Sequence, residues 1–455
     1  MKTVIMAGGK GSRIAEMAPG LPKPMIPIQG KPILEWQIEV LHRYGLRDII
    51  ITIGHLGHVI KEHFAGQDIT WFEETEPLGS GGALFQLLDQ GLLSEDFLLV
   101  NGDLIFDMDL DLFYDAYKKS GAWALLASHP NSHPYDSALL VSDAPHPGAE
   151  TSGSARPISQ WLHKEDERLW YKNQVNAGVH LLSVELLRAA APQLGLSTPP
   201  SRSDHPQVYK KVDLDREILK PLIPSGKLYA YPTPEYIKDA GTPERFAQVS
   251  QDLASGLVSG RNLKNKQKAV FIDRDGTINT DCGFVTRLED FELIEGAASA
   301  IGAINRSGYL AIVITNQPVI ARGECSLEEL EEIHNKMETL LGQEGAFIDG
   351  LYFCPHHPDR GFPGERPEYK IDCLCRKPKP GMLLDAAAAF NIDLGASFMI
   401  GDHPRDAQAG LAAGVKPILV GGDSTEGSHG DRASQAEMQG VPVYGSLLEA
   451  VRAIL

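Results

Sequence analysis

Cysteine is scarce, five residues in 455, which is too few for a disulfide framework. Three of them, Cys354, Cys373 and Cys375, are bunched together, a pattern of metal ligation in a reducing compartment; Cys282 and Cys325 read as ordinary thiols. No apolar run approaches the ~18 residues of a membrane span. The opening MKTVIMAGGKG turns to glycine far short of a secretory core. The cytoplasm is therefore the expected compartment, and no membrane partner is expected. Positive charge is also short: 42 Lys and Arg face 60 Asp and Glu, a net −18 at pH 7, which argues against a nucleic-acid partner. The chain carries no internal repeat.

What is present is a globular composition, 43% apolar and 22% charged, on a chain too long for one ordinary domain. Short Val/Ile/Leu runs alternate with helix-like stretches: KTVIMA, PILEWQIEVLHRYG, RDIIITIG, DFLLVNGD and AWALLASH. That alternation predicts a mainly parallel sheet covered by helices. It restarts after residue 265 with KAVFIDRDGT, LAIVITNQ, ASFMIGD and KPILVGG. The fold class is α/β, with two such domains expected over residues 1–255 and 268–455. Residues 256–267, rich in polar residues and glycine, are expected to connect them. The polar stretch from Ser142, SDAPHPGAETSGSARP, reads as a loop within the first domain.

Chemistry-bearing residues gather where apolar strands end. The first strand runs into Gly8, Gly9 and Gly11, glycines that let backbone approach a phosphate, with Arg13 just beyond. The loop matches neither the dinucleotide nor the Walker pattern. Lys23 is fixed between Pro22 and Pro24, and Asp103 follows the strand DFLLV, where a carboxylate can hold Mg²⁺ against phosphate oxygens. Each taken singly has a bland alternative: a glycine turn, a solvated lysine, a helix-capping aspartate.

Taken together, GGKGSR, PKPM, EPLGSGGAL, NGD, Lys164 in SQWLHKE, NAGVHLL and DAGTPE resemble the sugar-nucleotide pyrophosphorylase family over nearly the first 250 residues. The resemblance implies a Rossmann-like nucleotidyltransferase fold in which a sugar 1-phosphate attacks the α-phosphorus of an NTP. It implies Arg13 and Lys23 at the triphosphate and Asp103 and Asp239 on Mg²⁺. Gly79, Gly81 and Gly82 would line the base or sugar pocket, and Lys164 and Asn176 would meet the sugar phosphate. Lys10 and Ser12 depart from the usual Leu and Thr, and the lysine motif lacks its usual EKP.

In the second half, Asp273 and Asp275 stand two residues apart just after a strand, so one carboxylate could attack phosphorus while the other moves a proton. An Asp-rich turn is the bland alternative. DRDGT, then Thr315 and Asn316, Lys377 in CRKPKPG and Asp402 in IGDHPRD resemble, in order, the haloacid dehalogenase superfamily. The resemblance implies Asp273 as nucleophile and Asp275 as acid, then base. Thr315 and Lys377 would hold the phosphoryl group, and Mg²⁺ would sit on Asp273, Asp402 and the Asp275 carbonyl, with Asp406 in support.

Cys354, His356, Cys373 and Cys375 offer four ligands suited to a structural tetrahedral Zn²⁺, with His357 the alternative to His356. With TNQ, ARG and CRKPKPG, this zinc loop is similar to the D,D-heptose 1,7-bisphosphate phosphatases and the related histidinol-phosphatases. It implies substrate contact by Asn316 and Arg376.

The two resemblances describe consecutive steps: removal of the 7-phosphate, then nucleotidyl transfer to heptose 1-phosphate for surface polysaccharide, with GDP favoured. Small-molecule substrates are the expected partners, and a homo-oligomer stays open. So do another sugar phosphate or histidinol phosphate as substrate, and a first domain that only senses nucleotide sugar.

Overall fold

The computed structural model describes residues 1–9, 18–142, 154–196, 209–421 and 440–455. Gly11 and Arg13 lie outside them. The chain divides into two compact units: residues 1–128, 153–161 and 176–262 in the first, and residues 129–152, 162–175 and 263–455 in the second.

In the first unit, β1 (Lys2–Met6) is flanked by β2 (Ile49–Ile53) and, on its other side, β4 (Phe97–Asn101), both parallel to it; β3 (Ile69–Glu73) lies parallel beyond β2. The spatial order β3-β2-β1-β4 reverses direction between β1 and β4. In a sheet of this kind, the cleft at the strands' carboxyl ends opens at that reversal. Helix α1 (Ile33–Arg43) buries Leu34, Ile38 and Leu41 against Ile49, Ile51, Leu98 and Val100, the side-chain spacing its sequence shows. Helix α2 (Gly79–Asp89) and a short antiparallel pair, β5 (Leu104–Asp107) with β11 (Tyr236–Asp239), bring further loops to the same region. Helix α4 (Pro243–Ala254) follows, capped by Thr242.

Among the strands between β5 and β11, β9 (Val175–Leu182) runs antiparallel to β4. The 256–267 stretch is not bare coil: Leu257–Gly260 is helical, and buried Asn262 donates to Asp107 Oδ1 at 2.7 Å and Tyr44 Oη at 3.0 Å.

In the second unit, six strands are all parallel: β12 (Lys268–Ile272), β13 (Tyr309–Asn316), β14 (Gly350–Cys354), β15 (Phe398–Gly401), β16 (Lys416–Val420) and β17 (Val443–Tyr444). Their spatial order is β14-β13-β12-β15-β16-β17, the doubly wound order, with its reversal between β12 and β15. Alternate residues of β12 enter separate cores. Val270 and Ile272 pack with helices α5 (Ala297–Arg306), α6 (Leu327–Gln343) and α9 (Leu447–Ile454), whereas Ala269 and Phe271 pack with α7 (Gly381–Ala389) and α8 (Pro404–Ala413). A strand buried on both faces needs the continuous apolar run that KAVFI supplies. The segments 129–142 and 162–175 pack into this unit: Tyr171 N donates to Thr339 Oγ1 at 2.9 Å and Asn173 N to Glu338 Oε2 at 2.8 Å, both acceptors on α6.

His180, on β9, is 1% exposed, and burial pushes its imidazole down to about 3. The unfolded chain therefore takes up this proton below its ordinary value of about 6.5 while the folded one does not, so stability is lost as pH falls from there toward 3. Urea unfolding of the first unit should weaken by on the order of 1 kcal/mol per pH unit through that window from this group, and His180→Leu should reduce the slope.

Candidate active sites and metal cluster

Where β12 ends, Asp273 N donates to Ile400 O at 2.9 Å, tying the DRDGT turn to β15 across the sheet's reversal. Gly276, at φ +81°, is there of necessity: a Cβ on it would stand 2.6 Å from Asp402 Oδ2. The turn thereby brings Asp273 beside Asp402, and α8 adds Asp406. One carboxylate oxygen from each of the three lies within 4.8 Å of the others, and all three residues are buried.

Against them stands Lys377, its side chain fully buried. Nζ donates to Asp273 Oδ1 at 2.6 Å and to Ile314 O at 2.7 Å, and pairs with Asp406 Oδ1 at 2.7 Å. Asn316 fixes the lysine's backbone from both sides, accepting from Lys377 N and donating to Lys377 O, each at 3.0 Å. Burial, then the neighbouring Asp406 carboxylate, push Asp273 up to about 7 against the pull of Lys377. Three buried carboxylates facing one ammonium leave an excess of negative charge that a hard divalent cation offsets, and oxygen-only donors suit such an ion.

Asp275 is treated differently. Arg274 Nε and Nη2 donate to its Oδ1 at 3.0 and 2.7 Å, Asn279 Nδ2 donates to the same oxygen at 3.0 Å, and Gln317 Nε2 donates to Oδ2 at 2.8 Å. Burial alone would raise this carboxyl, yet the adjacent guanidinium and these donors hold it below its ordinary value. Gln317 Nε2 also donates to Thr315 Oγ1 at 2.9 Å. The expected residues Asp273, Asp275, Thr315, Asn316, Lys377 and Asp402 thus come together through one network of buried contacts. Sequence reasoning missed Gln317, in the quoted TNQ, and Arg274, between the two aspartates. Half-buried Arg376 donates to His356 O at 3.2 Å, which sets it against the cysteine loop.

In that loop, Sγ–Sγ separations among Cys354, Cys373 and Cys375 are 3.2, 3.3 and 3.5 Å, and His356 Nδ1 lies 3.4 and 3.7 Å from Cys375 and Cys354. These are far too long for disulfides and fit four ligands of one tetrahedral ion, which at bonds of about 2.0–2.3 Å stand roughly 3.5–3.8 Å apart. His357 is occupied elsewhere: its Nδ1 accepts from Asp359 N at 3.2 Å.

In the first unit, the Lys23–Met25 turn points Lys23 Nζ at Asp103 Oδ2 in a close ion pair. Asp239, at the end of β11, accepts from Arg245 Nη1 on both oxygens at 2.9 and 3.0 Å. Gly241 lies between them, since a Cβ there would be 2.6 Å from Asp239 Oδ1 and 3.1 Å from Lys23 Nζ. Two hard oxygen donors and two cations therefore converge after β4 and β11, and the donors suit a divalent cation. Arg245 had no signal in the sequence beyond its place in a helix after DAGTPE. At the end of β1, a Cβ on Gly8 would come 2.8 Å from Glu74 Oε1, while the space around Gly9 is open.

Gly79, Gly81 and Gly82 serve close backbone packing. A Cβ on each would come 2.4 Å from Val212 O, 2.8 Å from Ile218 Cδ1 and 2.9 Å from Lys210 O respectively, and Gly79 has φ +75°. Asn176 donates to Asp215 Oδ2 at 3.4 Å, and burial, then Asp213, push Asp215 up to about 6. Asp215 is a second residue that the sequence gave no reason to single out. Lys164 lies in the second unit, 64% exposed and 3.5 Å from Asp136 Oδ1.

Comparison with known proteins finds two families in the chain. The model of the MobA-like NTP transferase domain matches residues 3–344, and a HAD-hydrolase-like model matches residues 374–450. The D-glycero-beta-D-manno-heptose-1,7-bisphosphate 7-phosphatase of Photorhabdus laumondii is 40% identical over 188 residues, 41% of this chain and 94% of that protein. The alpha-specific counterpart from Burkholderia mallei is 44% identical over 155 residues, 34% of this chain and 80% of that protein. Both families claim the chain. It belongs to the MobA-like NTP transferases and to the heptose-bisphosphate 7-phosphatases. A crystal structure of HddC from Yersinia pseudotuberculosis with GMP-PN is 22% identical, covers 55% of this chain and 99% of its own, and has a TM-score of 0.41.

As a member of both families the chain is an enzyme with a nucleotidyl transferase part and a phosphatase part. In the phosphatase part, Gly401 packs against Asp406, and a Cβ would stand 2.5 Å from Asp406 Oδ2. Gly401→Ala should therefore displace Asp406 from Lys377 and cut phosphate release at least ~10-fold, about 1.4 kcal/mol in the barrier. Nucleotidyl transfer, assayed in the same preparation, should stay unchanged.

Proposed function

We propose that the enzyme removes the 7-phosphate of D-glycero-D-manno-heptose 1,7-bisphosphate and then transfers a nucleotidyl group from an NTP, GTP favoured, to the heptose 1-phosphate. The observation that carries the reading is the Asp273–Lys377–Asp406 cluster: a strand-end carboxylate held by a fully buried ammonium beside two further carboxylates. It suits attack on a dianionic phosphate, and the relatives' heptose substrate supplies the class. Those relatives differ in anomer, so the GTP preference rests on analogy to the alpha route.

In the phosphatase unit, an Asp273 oxygen attacks the phosphorus at O7. The P–O7 bond breaks, and Asp275, a carboxylate at rest that must take up a proton as the substrate binds, gives that proton to the departing oxygen. Asp275 then takes a proton from water, whose oxygen attacks the aspartyl-phosphate and frees Asp273 with inorganic phosphate. Thr315 and Lys377 hold the phosphoryl oxygens, and Asn316 and Arg376 contact the substrate. Asp273, Asp402 and the Asp275 carbonyl would hold Mg²⁺, which when bound screens the charge of phosphate against carboxylate.

In the nucleotidyl unit, a heptose 1-phosphate oxygen attacks the α-phosphorus and pyrophosphate leaves in line, a reaction dominated by positioning and charge neutralisation. Arg13 and Lys23 neutralise the triphosphate against the Gly8, Gly9 and Gly11 backbone. Asp103 and Asp239 would hold Mg²⁺, and Asn176 faces the substrate. The transferase domain is taken as residues 1–255 and the phosphatase as 268–455, joined by 256–267. The enzyme works on small molecules in the cytoplasm; no helix among the described residues is long and apolar enough to cross a membrane.

Asp273→Asn should reduce phosphate release by at least ~10³-fold while leaving nucleotidyl transfer to supplied heptose 1-phosphate intact, and Asp103→Ala should do the reverse. Loss of both activities from either change would count against two independent sites. The Cys354, His356, Cys373 and Cys375 cluster should carry one structural Zn²⁺. Elemental analysis of Cys375→Ser should show that zinc lost, with a lower thermal midpoint for the phosphatase unit.

A further inference from the structure

Arg274 lies between the two aspartates of DRDGT, yet its side chain is completely buried. A guanidinium out of water needs acceptors for its N–H groups, and those it has are specific. Nε and Nη2 grip Asp275, with Nη2 reaching both carboxylate oxygens, Oδ1 at 2.7 Å and Oδ2 at 3.0 Å. Nη1 points away and lies 3.0 Å from Nε2 of His334, on α6. Arginine has no acceptor to offer, so Arg274 donates, and His334 Nε2 accepts as a neutral imidazole. Burial, then the positive Arg274, then Lys172 hold His334 well below its ordinary value.

Helix α6 itself is pinned along its length. It opens with a capping box of Ser326 and Glu329, Lys336 Nζ donates to Leu288 O at 2.6 Å, and Glu338 and Thr339 receive the backbone N–H groups of Asn173 and Tyr171. His334 also packs its ring 5.5 Å from that of Phe353. The imidazole acceptor therefore occupies a fixed point.

We propose that His334 and Arg274 form a positioning pair that fixes the plane of the Asp275 carboxyl, so that its proton is delivered to the leaving oxygen. The pair touches neither phosphorus nor leaving group, and it acts through Asp275. This rests on the phosphatase reading above and adds two residues to it. Its consequence is selective. In the first step the P–O bond to the leaving group breaks while Asp275 supplies a proton to that oxygen. An alkoxide leaving from a sugar needs the proton, and a nitrophenolate does not. Misaligning Asp275 should therefore slow leaving-group departure from sugar phosphates and spare it from aryl phosphates, whereas hydrolysis of the aspartyl-phosphate, where Asp275 draws a proton from water, is common to both.

The test uses the full-length enzyme with Mg²⁺, heptose 1,7-bisphosphate and 4-nitrophenyl phosphate. His334→Phe, which removes the acceptor, should lower the pre-steady-state rate of leaving-group release from the bisphosphate by about 10- to 100-fold, a share of what a general acid supplies, and leave the rate of the 4-nitrophenolate burst within about twofold. His334→Gln, which can still accept from Nη1, should restore most of the loss. Arg274→Lys keeps the charge but not the fork, and should show the same split even where His334→Phe folds poorly.

Equal loss in the rate of leaving-group release from both substrates would reduce the pair to a structural prop, and no loss of that rate on the bisphosphate would remove it from the reaction; either overturns the inference. Activity of Asp273→Asn on 4-nitrophenyl phosphate comparable with the unmodified enzyme would overturn the phosphatase reading beneath it, a separate result.

Discussion

One buried ammonium sets the terms for the phosphatase unit. Lys377 has no exposed side-chain surface and lies within 2.7 Å of Asp273, Asp406 and the Ile314 carbonyl. A charge so placed is tolerated only with full pairing, and removing either side of a buried pair leaves an uncompensated charge that costs about 3–5 kcal/mol. The surroundings are built accordingly. Asn316 clamps the lysine's backbone, Gly401 leaves room for Asp406, and Gly276 leaves room for Asp402. Each of these residues is explained by the need to bring one cation and three carboxylates into contact without water.

Topology makes that meeting achievable. Asp273 follows β12 and Asp402 follows β15, the two strands flanking the reversal in the sheet order. At that point the connections leave toward opposite faces, so the carboxyl ends are not roofed over by a crossing helix. The first unit repeats the logic with β1 and β4, after which come Gly8 and Asp103. A strand buried on both faces is rigid, and short loops leaving a rigid strand hold their side chains to the tolerance that in-line attack on phosphorus requires.

Much of this was legible in the chain. The apolar runs gave the strands, and DRDGT, TNQ, CRKPKPG and IGDHPRD gave most of the phosphatase cluster because its members sit at strand ends or in short fixed turns. The cysteine loop could be read because three thiols and a histidine fall close in sequence as well as in space. What escaped depends on contacts that exist only once the chain has folded. His334 meets Arg274 across 60 residues and Arg245 meets Asp239 only once α4 is docked, while Asp215 is set apart by burial, which no local pattern reveals. Glycines mislead in the other direction. A glycine admits a ligand or another stretch of backbone equally well, and Gly79, Gly81 and Gly82 are in contact with the 210–218 segment.

The two sites answer the same substrate charge in opposite ways. In the nucleotidyl unit Asp103 and Asp239 each already have a cation, Lys23 and Arg245, so the local charge is even. On the proposed reading, an arriving triphosphate competes with those carboxylates for the cations. In the phosphatase unit negative charge exceeds positive, and burial and then the neighbouring Asp406 raise Asp273. On the proposed reading, that unit takes up a divalent cation before a phosphate dianion approaches, whereas the nucleotidyl unit begins to recognise phosphate with its own side chains. The difference follows the chemistry. A carboxylate nucleophile brings its own negative charge to the phosphorus and must be offset, while a reaction between two substrates needs from the protein only cations and alignment.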